Sequence, residues 1–133
     1  MFGAFDISTS ALGAQRIRLD TIASNIANVD TVMGPDRKPA PYHRLYPVFQ
    51  AQAMANGNVG VAVKEIDEDN DNFVYKNEPD NLAANAQGIV TYPNVDLSTE
   101  YVNALETTRA YEANITAIET TKSMMNSTLR LLA

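Results

Sequence analysis

Apolar residues recur with a helical period at both ends of the chain and with a strand-like period in the middle. Leu12, Leu19 and Ile26 fall seven apart, and so do Gln15, Ile22 and Val29. Interleaved, the two rows step by three and four, the spacing of a helix with one apolar stripe. The spacing predicts a helix over residues 7–28, with Ser8–Ser10 placed to cap its start. At ~1.5 Å per residue it would be roughly 33 Å long.

The C-terminal third repeats the pattern over a longer span. Leu97, Ala104, Tyr111, Ile118, Met125 and Leu132 form one row, and Tyr101, Thr108, Ile115, Lys122 and Leu129 form its companion. No Gly or Pro interrupts the chain after Pro93, and Asn94 or Asp96 can cap the start. This predicts a helix of about 36 residues, roughly 54 Å long. A compact domain of this size is only about 28–30 Å across. The rest of the chain cannot wrap such a helix. Part of its stripe must meet another chain, or order only when it does.

The middle follows another rule. "MGPDRKPAPYHRLYPVF" holds four of the six prolines and reads as an extended loop. "LYPVFQAQ", "VGVAVKEI", "NFVYK" and "GIVTY" are short and rich in β-branched or aromatic residues, as strands are. Val59, Val61 and Val63 alternate like a half-buried strand, while Asn70–Asn72 and Asn85–Gly88 read as turns. The expected class is α+β. Long N- and C-terminal amphipathic helices pack in coiled-coil fashion, with a small antiparallel β domain inserted between them. The expected divisions are 1–31, 32–93 and 94–133.

Length and charge sharpen this picture. The chain has 133 residues and a net charge of −6, which argues against electrostatic binding to nucleic acid or insertion at an anionic lipid surface. Lys64–Asp80 carries seven acids against two lysines, whereas the rest of the chain holds nine acids and eight bases. That stretch reads as a solvated outer segment. There is no cysteine, which removes disulfides, thiolate metal sites and thiol nucleophiles. The N-terminus lacks a basic region and an unbroken apolar core, so no cleaved signal peptide is expected.

Candidate chemistry is sparse. In "DEDNDNFVYKNE", Asp67, Asp69, Asp71, Val74 and Glu78 fall at positions 1, 3, 5, 8 and 12 of a calcium-binding EF-hand loop, with Asn72 in place of the usual Gly. The flanks argue for an acidic hairpin turn instead, since a strand precedes the loop and Pro79 follows it. His43 is the only histidine and has no cysteine or carboxylate cluster to form a metal site or triad. Gly57 and Gly60 lack the Lys-Ser/Thr of a phosphate loop. Tyr101, Tyr111, Met124 and Met125 sit at packing positions. No catalytic residue, cofactor or metal is expected.

The segment "SNIANVDT" ends the first helix in a polar patch, with no Gly or Pro until Gly34 and Pro35. Asn25, Asn28 and Thr31 can hydrogen-bond backbone there, in the same chain or a neighbouring copy. "RLDTIASNIANVDT" resembles the N-terminal signature of bacterial flagellar rod and hook axial proteins. "EYVNALETTRAYEANITAIETTKSMMNSTLRLL", with Arg-Ala-Tyr-Glu-Ala-Asn at 109–114, is similar to that family's C-terminal segment. "GPDRKPAPYHRLYPVF" and "EPDNLAANAQGIVTYPNVDLSTEYVN" narrow the likeness to the proximal-rod members. The acidic run 65–72, His43 and the Pro-Ala-Pro of residues 39–41 depart from the family's pattern.

The resemblance implies a structural subunit, not an enzyme, that polymerises helically into the drive shaft carrying torque from rotor to hook. It implies contacts with other rod proteins, copies of itself, membrane-ring and rod-adaptor proteins at the rod base, and the flagellar type III export apparatus. It also implies a place in the periplasmic rod, reached without a cleaved signal. The interface expected from it comprises Leu12, Leu19, Ile22, Asn25, Ile26, Asn28 and Thr31 on the first helix. On the last it comprises Leu97, Tyr101, Ala104, Arg109, Tyr111, Asn114, Ile115, Ile118, Met125 and Leu129. The residues alone also allow a soluble coiled-coil adaptor or secretion chaperone, or a calcium-binding module through 67–78.

Overall fold

The computed structural model describes residues 2–132. The order of elements is α1 (Phe2–Ala27), β1 (Arg44–Ala53), β2 (Val59–Asp69), β3 (Val74–Asn77), β4 (Ile89–Tyr92) and α2 (Leu97–Leu132). The α+β class and the 36-residue last helix match the sequence reading. The strands, which lie between the two helices in the chain, form two two-stranded sheets, β1–β2 and β3–β4. The acidic segment is therefore not a hairpin. Asp67 and Asp69 end β2, which pairs with β1, and the chain then crosses to β3, which pairs antiparallel with β4 from Val74 opposite Tyr92 to Asn77 opposite Ile89.

The chain divides into two compact units, each built from several stretches. One combines residues up to Leu19, Pro47–Glu65 and the chain from Ala104 onward. The other combines Asp20–Tyr46 with Ile66–Asn103.

In the first unit, the helix begins earlier than expected because its hydroxyls are satisfied inside it. Thr9 donates to the Phe5 carbonyl and Ser10 to that of Ile7, so neither acts as an N-cap. The β1–β2 hairpin closes through Gly57, which has φ +82° and donates to the Met54 carbonyl at 3.0 Å. Gly60 is buried against α1: a Cβ there would lie 2.6 Å from the Ser10 hydroxyl, which itself accepts from the Val61 amide at 3.1 Å. This reverses the expected strand face. Gly60 turns inward because only a glycine allows so close an approach, and Val59 and Val61 turn outward, Val59 being 58% exposed. Helices α1 and α2 run antiparallel in this unit. Phe5 shares a cavity wall with Ile118, Lys122 and Met125, while Arg18 lies 3.7 Å from Glu106.

The inward face of α2 also differs from the expected one. Ala104, Tyr111, Ile118 and Met125 are half-buried as read from the sequence, but their companions are Thr107, Asn114, Thr121 and Thr128. Tyr101, Thr108, Ile115, Lys122 and Leu129 face outward, with Tyr101 61% and Leu129 62% exposed. The helix is turned by about 50°, half of the ~100° per residue. Polar residues can occupy the inner row because they bond their own helix. Asn114 donates to the Ala110 carbonyl, Thr121 to Ala117 and Thr128 to Met124. Each threonine then offers its methyl to the packing.

In the second unit the buried apolar side chains include Ile22, Ala83 and Val90, with Val90 fully enclosed. The Gly34–Lys38 segment folds back through the Met33–Pro39 bridge, with Arg37 at φ 57°. Asn85 and Gly88 form the expected turn, Gly88 at φ +76° donating to the Asn85 carbonyl.

Candidate functional site

A buried polar site lies in the second unit, where the end of α1, the start of β1 and the first turn of α2 meet. Asn25 is 1% exposed. Its amide nitrogen donates to the Leu45 carbonyl at 2.8 Å and its oxygen accepts from the Leu45 N–H at 2.9 Å. The side chain pairs with Leu45 as an adjacent strand would. The Tyr42 hydroxyl donates to the same oxygen at 3.1 Å. The Asn25 amide also reaches Glu100 Oε2 at 3.3 Å, and Arg44 Nε donates to Glu100 Oε1 at 2.6 Å. Glu100 is 0% exposed. A carboxylate can be enclosed this way because a guanidinium and an amide meet its two oxygens. Burial pushes the Tyr42 phenol above its ordinary pKa, and the carboxylates of Glu100 and Glu68 add to the rise.

Asn94 holds the other side of the same strand. It accepts from the Arg44 N–H at 3.0 Å and donates to the carbonyls of Asp69 and Asp71 at 2.9 and 2.7 Å. It is therefore not the cap of α2. Asp96 is, accepting from the Ser98 N–H and the Thr99 hydroxyl.

The polar end of α1 now has an explanation. Asn28 donates its side-chain amide back to the Ser24 carbonyl at 2.8 Å, and its oxygen accepts from the Thr31 hydroxyl at 3.1 Å. These side chains close the helix where a C-cap glycine would otherwise stand.

Of the other residues expected at an interface, Ile22 is buried and Leu12, Leu19, Ile26, Ala104, Tyr111, Asn114, Ile118 and Met125 are half-buried. Leu97, Tyr101, Arg109, Ile115 and Leu129 are exposed. The sequence reading missed Glu100, Arg44 and Tyr42. The available signal was the row Glu100, Thr107, Asn114, Thr121, Thr128, a seven-residue recurrence of polar residues beside the apolar row.

The calcium pattern does not converge. Asp67 accepts from the Tyr46 hydroxyl and the Glu68 N–H, and Asp69 accepts from the Asp71 N–H. Glu78 accepts from Asn81 and Tyr92. Among the described residues, no three His, Cys, Asp or Glu side chains gather as a metal site would need. His43 packs edge-on to Phe73, ring centroids 5.1 Å apart, and faces the Asn70 side chain.

Comparison with known proteins bears directly on the two helices. The family model described as flagella basal body rod protein matches residues 5–33, which are α1 and its polar end. The model described as flagellar basal body rod FlgEFG protein C-terminal matches residues 86–131, from β4 through α2. Over 134 aligned residues the chain is 45% identical to the flagellar basal-body rod protein FlgC of Salmonella typhimurium, covering 98% of this chain and 97% of the relative. It is 37% identical to the FlgC of Bacillus subtilis and 38% identical to that of Aquifex aeolicus, each over more than nine-tenths of both chains. The chain belongs to the FlgC family of flagellar basal-body rod proteins. As a FlgC-family member it is a structural subunit of the basal-body rod and not an enzyme. Both family matches include parts of the polar site: Asn25 in the N-terminal match, Asn94 and Glu100 in the C-terminal one.

Proposed function

We propose that the chain repeats helically, with other rod proteins and copies of itself, to form the proximal section of the rod. The rod acts as the drive shaft that passes torque towards the hook and encloses the path of exported subunits. The observation that carries this reading is the outer face of α2. Tyr101, Ile115 and Leu129 stay exposed on a helix that the family match covers almost whole. A monomer gains nothing from that face, whereas a helical assembly buries it at every copy. Coiled-coil-like packing between subunits, through these residues and Arg109, supplies the stiffness a shaft needs.

The finer picture follows from the same reading. The chain passes through the flagellar type III export apparatus without a cleaved signal. It assembles in the periplasm, and it meets membrane-ring and adaptor proteins at the rod base. Residues 1–31 and 94–133 serve as the rod core, and 32–93 as the inserted part. The test is Leu129→Asp in a strain lacking the native gene. The expected result is an unchanged melting temperature in the purified chain and loss of swimming in the cell. Normal swimming with the variant present at wild-type level would remove α2's outer face from the assembly.

A further inference from the structure

The polar site of the second unit has a property that stability does not explain. A buried ion pair loses the hydration of both charges, and well-packed apolar side chains of similar volume commonly hold a fold as well or better. Glu100 is fully enclosed, Arg44 is three-quarters enclosed, and Asn25 is buried beside them. Past the buried Thr107, α2's inner face is permissive by contrast. Its apolar row is Ala104, Tyr111, Ile118 and Met125, and Asn114, Thr121 and Thr128 bond their own helix. A slide of α2 by one heptad would leave those three hydrogen bonds intact, because they travel with the helix. It would not leave Glu100 intact. The carboxylate would leave Arg44 and the Asn25 amide, a threonine would take its place, and Asn94, just ahead of the helix, would be drawn away from the Arg44 N–H and the Asp69 and Asp71 carbonyls. A one-residue shift of β1 would likewise strip Leu45 of both bonds to Asn25 and Arg44 of its bond to Asn94.

We propose that Asn25, Arg44 and Glu100 form a register lock, positioning residues whose role is to select one alignment of α1, β1 and α2 rather than to stabilise the fold. A helical shaft repeats any error at every copy, so one fixed register per subunit is a requirement of assembly.

The test uses the full chain with Asn25→Leu, Arg44→Met and Glu100→Met together. Register is read from engineered cysteines, which report without background because the chain has none of its own. Arg18→Cys with Glu106→Cys, a native neighbour pair, marks the native alignment. Arg18→Cys with Ala113→Cys marks a slide of one heptad. Both are joined with a short bis-maleimide. The expected result is a triple variant that melts at or above the wild type, cross-links at both pairs, and fails to restore swimming. A triple variant that melts as the wild type does, cross-links only at the native pair and swims would overturn the lock. A melting temperature lowered by more than about 8 °C would also overturn it, since the cluster would then be a stability element. Glu100→Gln alone, which keeps the shape, guards against a packing failure in the triple variant. The lock predicts that it too gives the slipped cross-link, and only the native product would count against it.

Discussion

The two ends of α2 are built on opposite principles. Its first turn is capped by Asp96 and holds Glu100, which accepts from the Asn25 amide and from Arg44 Nε. Its last turn ends in Leu131 and Leu132, exposed at 88% and 81%. Directional polar bonds hold the N-terminal end, and the C-terminal end carries non-directional apolar surface that stays exposed. A subunit of a polymer needs both. A chain built only of apolar stripes would have several near-equal alignments, and one built only of polar contacts would leave no surface to bury on assembly.

The sharpest way to break this contrast is to remove the carboxylate without replacing its volume. Glu100→Ala leaves the largely enclosed Arg44 guanidinium without its carboxylate, and the Asn25 amide with the Leu45 carbonyl alone. We expect a loss of about 3–5 kcal/mol in urea unfolding, the usual range for one half of a broken buried pair. Leu131→Ala, at the opposite end, should stay within about 0.5 kcal/mol of wild type. Similar losses from the two would erase the distinction between the ends.

Next in size is Gly60→Val in the first unit. The new side chain would press on Ser10 and Met54. Met54 can move its terminal methyl, but the Ser10 backbone is held in α1. Overpacking of this kind costs about 1–3 kcal/mol. Thermal melting of the variant checks it, and a melt equal to wild type would show that the hairpin does not rest on α1.

The architecture was legible wherever one local rule decided it. Seven-residue spacing located both helices, β-branched runs located all four strands, and Asn85–Gly88 was recognisable as a turn. What was not legible depended on rotation or on distant partners. The row Tyr101, Ile115, Leu129 is the more apolar, so periodicity alone turns it inward. The structure turns it outward because Glu100 and the self-bonded threonines fit the inner side. Val59 and Val61 look like a core face for the same reason, and the missing Cβ of Gly60 overrules them. Asn25 stood out for its place in a polar helix end, but Leu45, Arg44 and Glu100 lie 19 to 75 residues further along the chain. No local pattern joins residues so far apart.

A smaller effect tests the cap. Asp96→Ala removes the acceptor for the Ser98 amide and should cost about 1 kcal/mol. The fraying should be confined to the first turn of α2, read as faster amide exchange there. The same substitution should leave the C-terminal turns unaltered, and faster exchange along the whole helix would mean that the cap also governs its far end.

The smallest expected effect is a pH dependence at Glu78. Hydrogen bonds from Asn81 and Tyr92, with Lys76 nearby, hold its carboxyl below the usual glutamate value. A depressed folded-state pKa contributes stability above the unfolded value, about 4.3, and loses it as pH falls through the lower folded value. Tyr92→Phe removes one of the two bonds while keeping the ring that Lys76 covers at 4.2 Å. The Glu78 pKa should rise towards its ordinary value. The variant should then be slightly less stable than wild type at pH 7, and the difference should shrink as pH falls through the folded value, below which the carboxyl is protonated in both states. Urea midpoints from pH 7 down to pH 2 measure this. A gap that stays constant across the range would mean that the hydroxyl acts through packing. The β3–β4 sheet would then owe nothing to the charge on Glu78, and the buried site around Glu100 would stand as the more consequential use of a carboxylate in this chain.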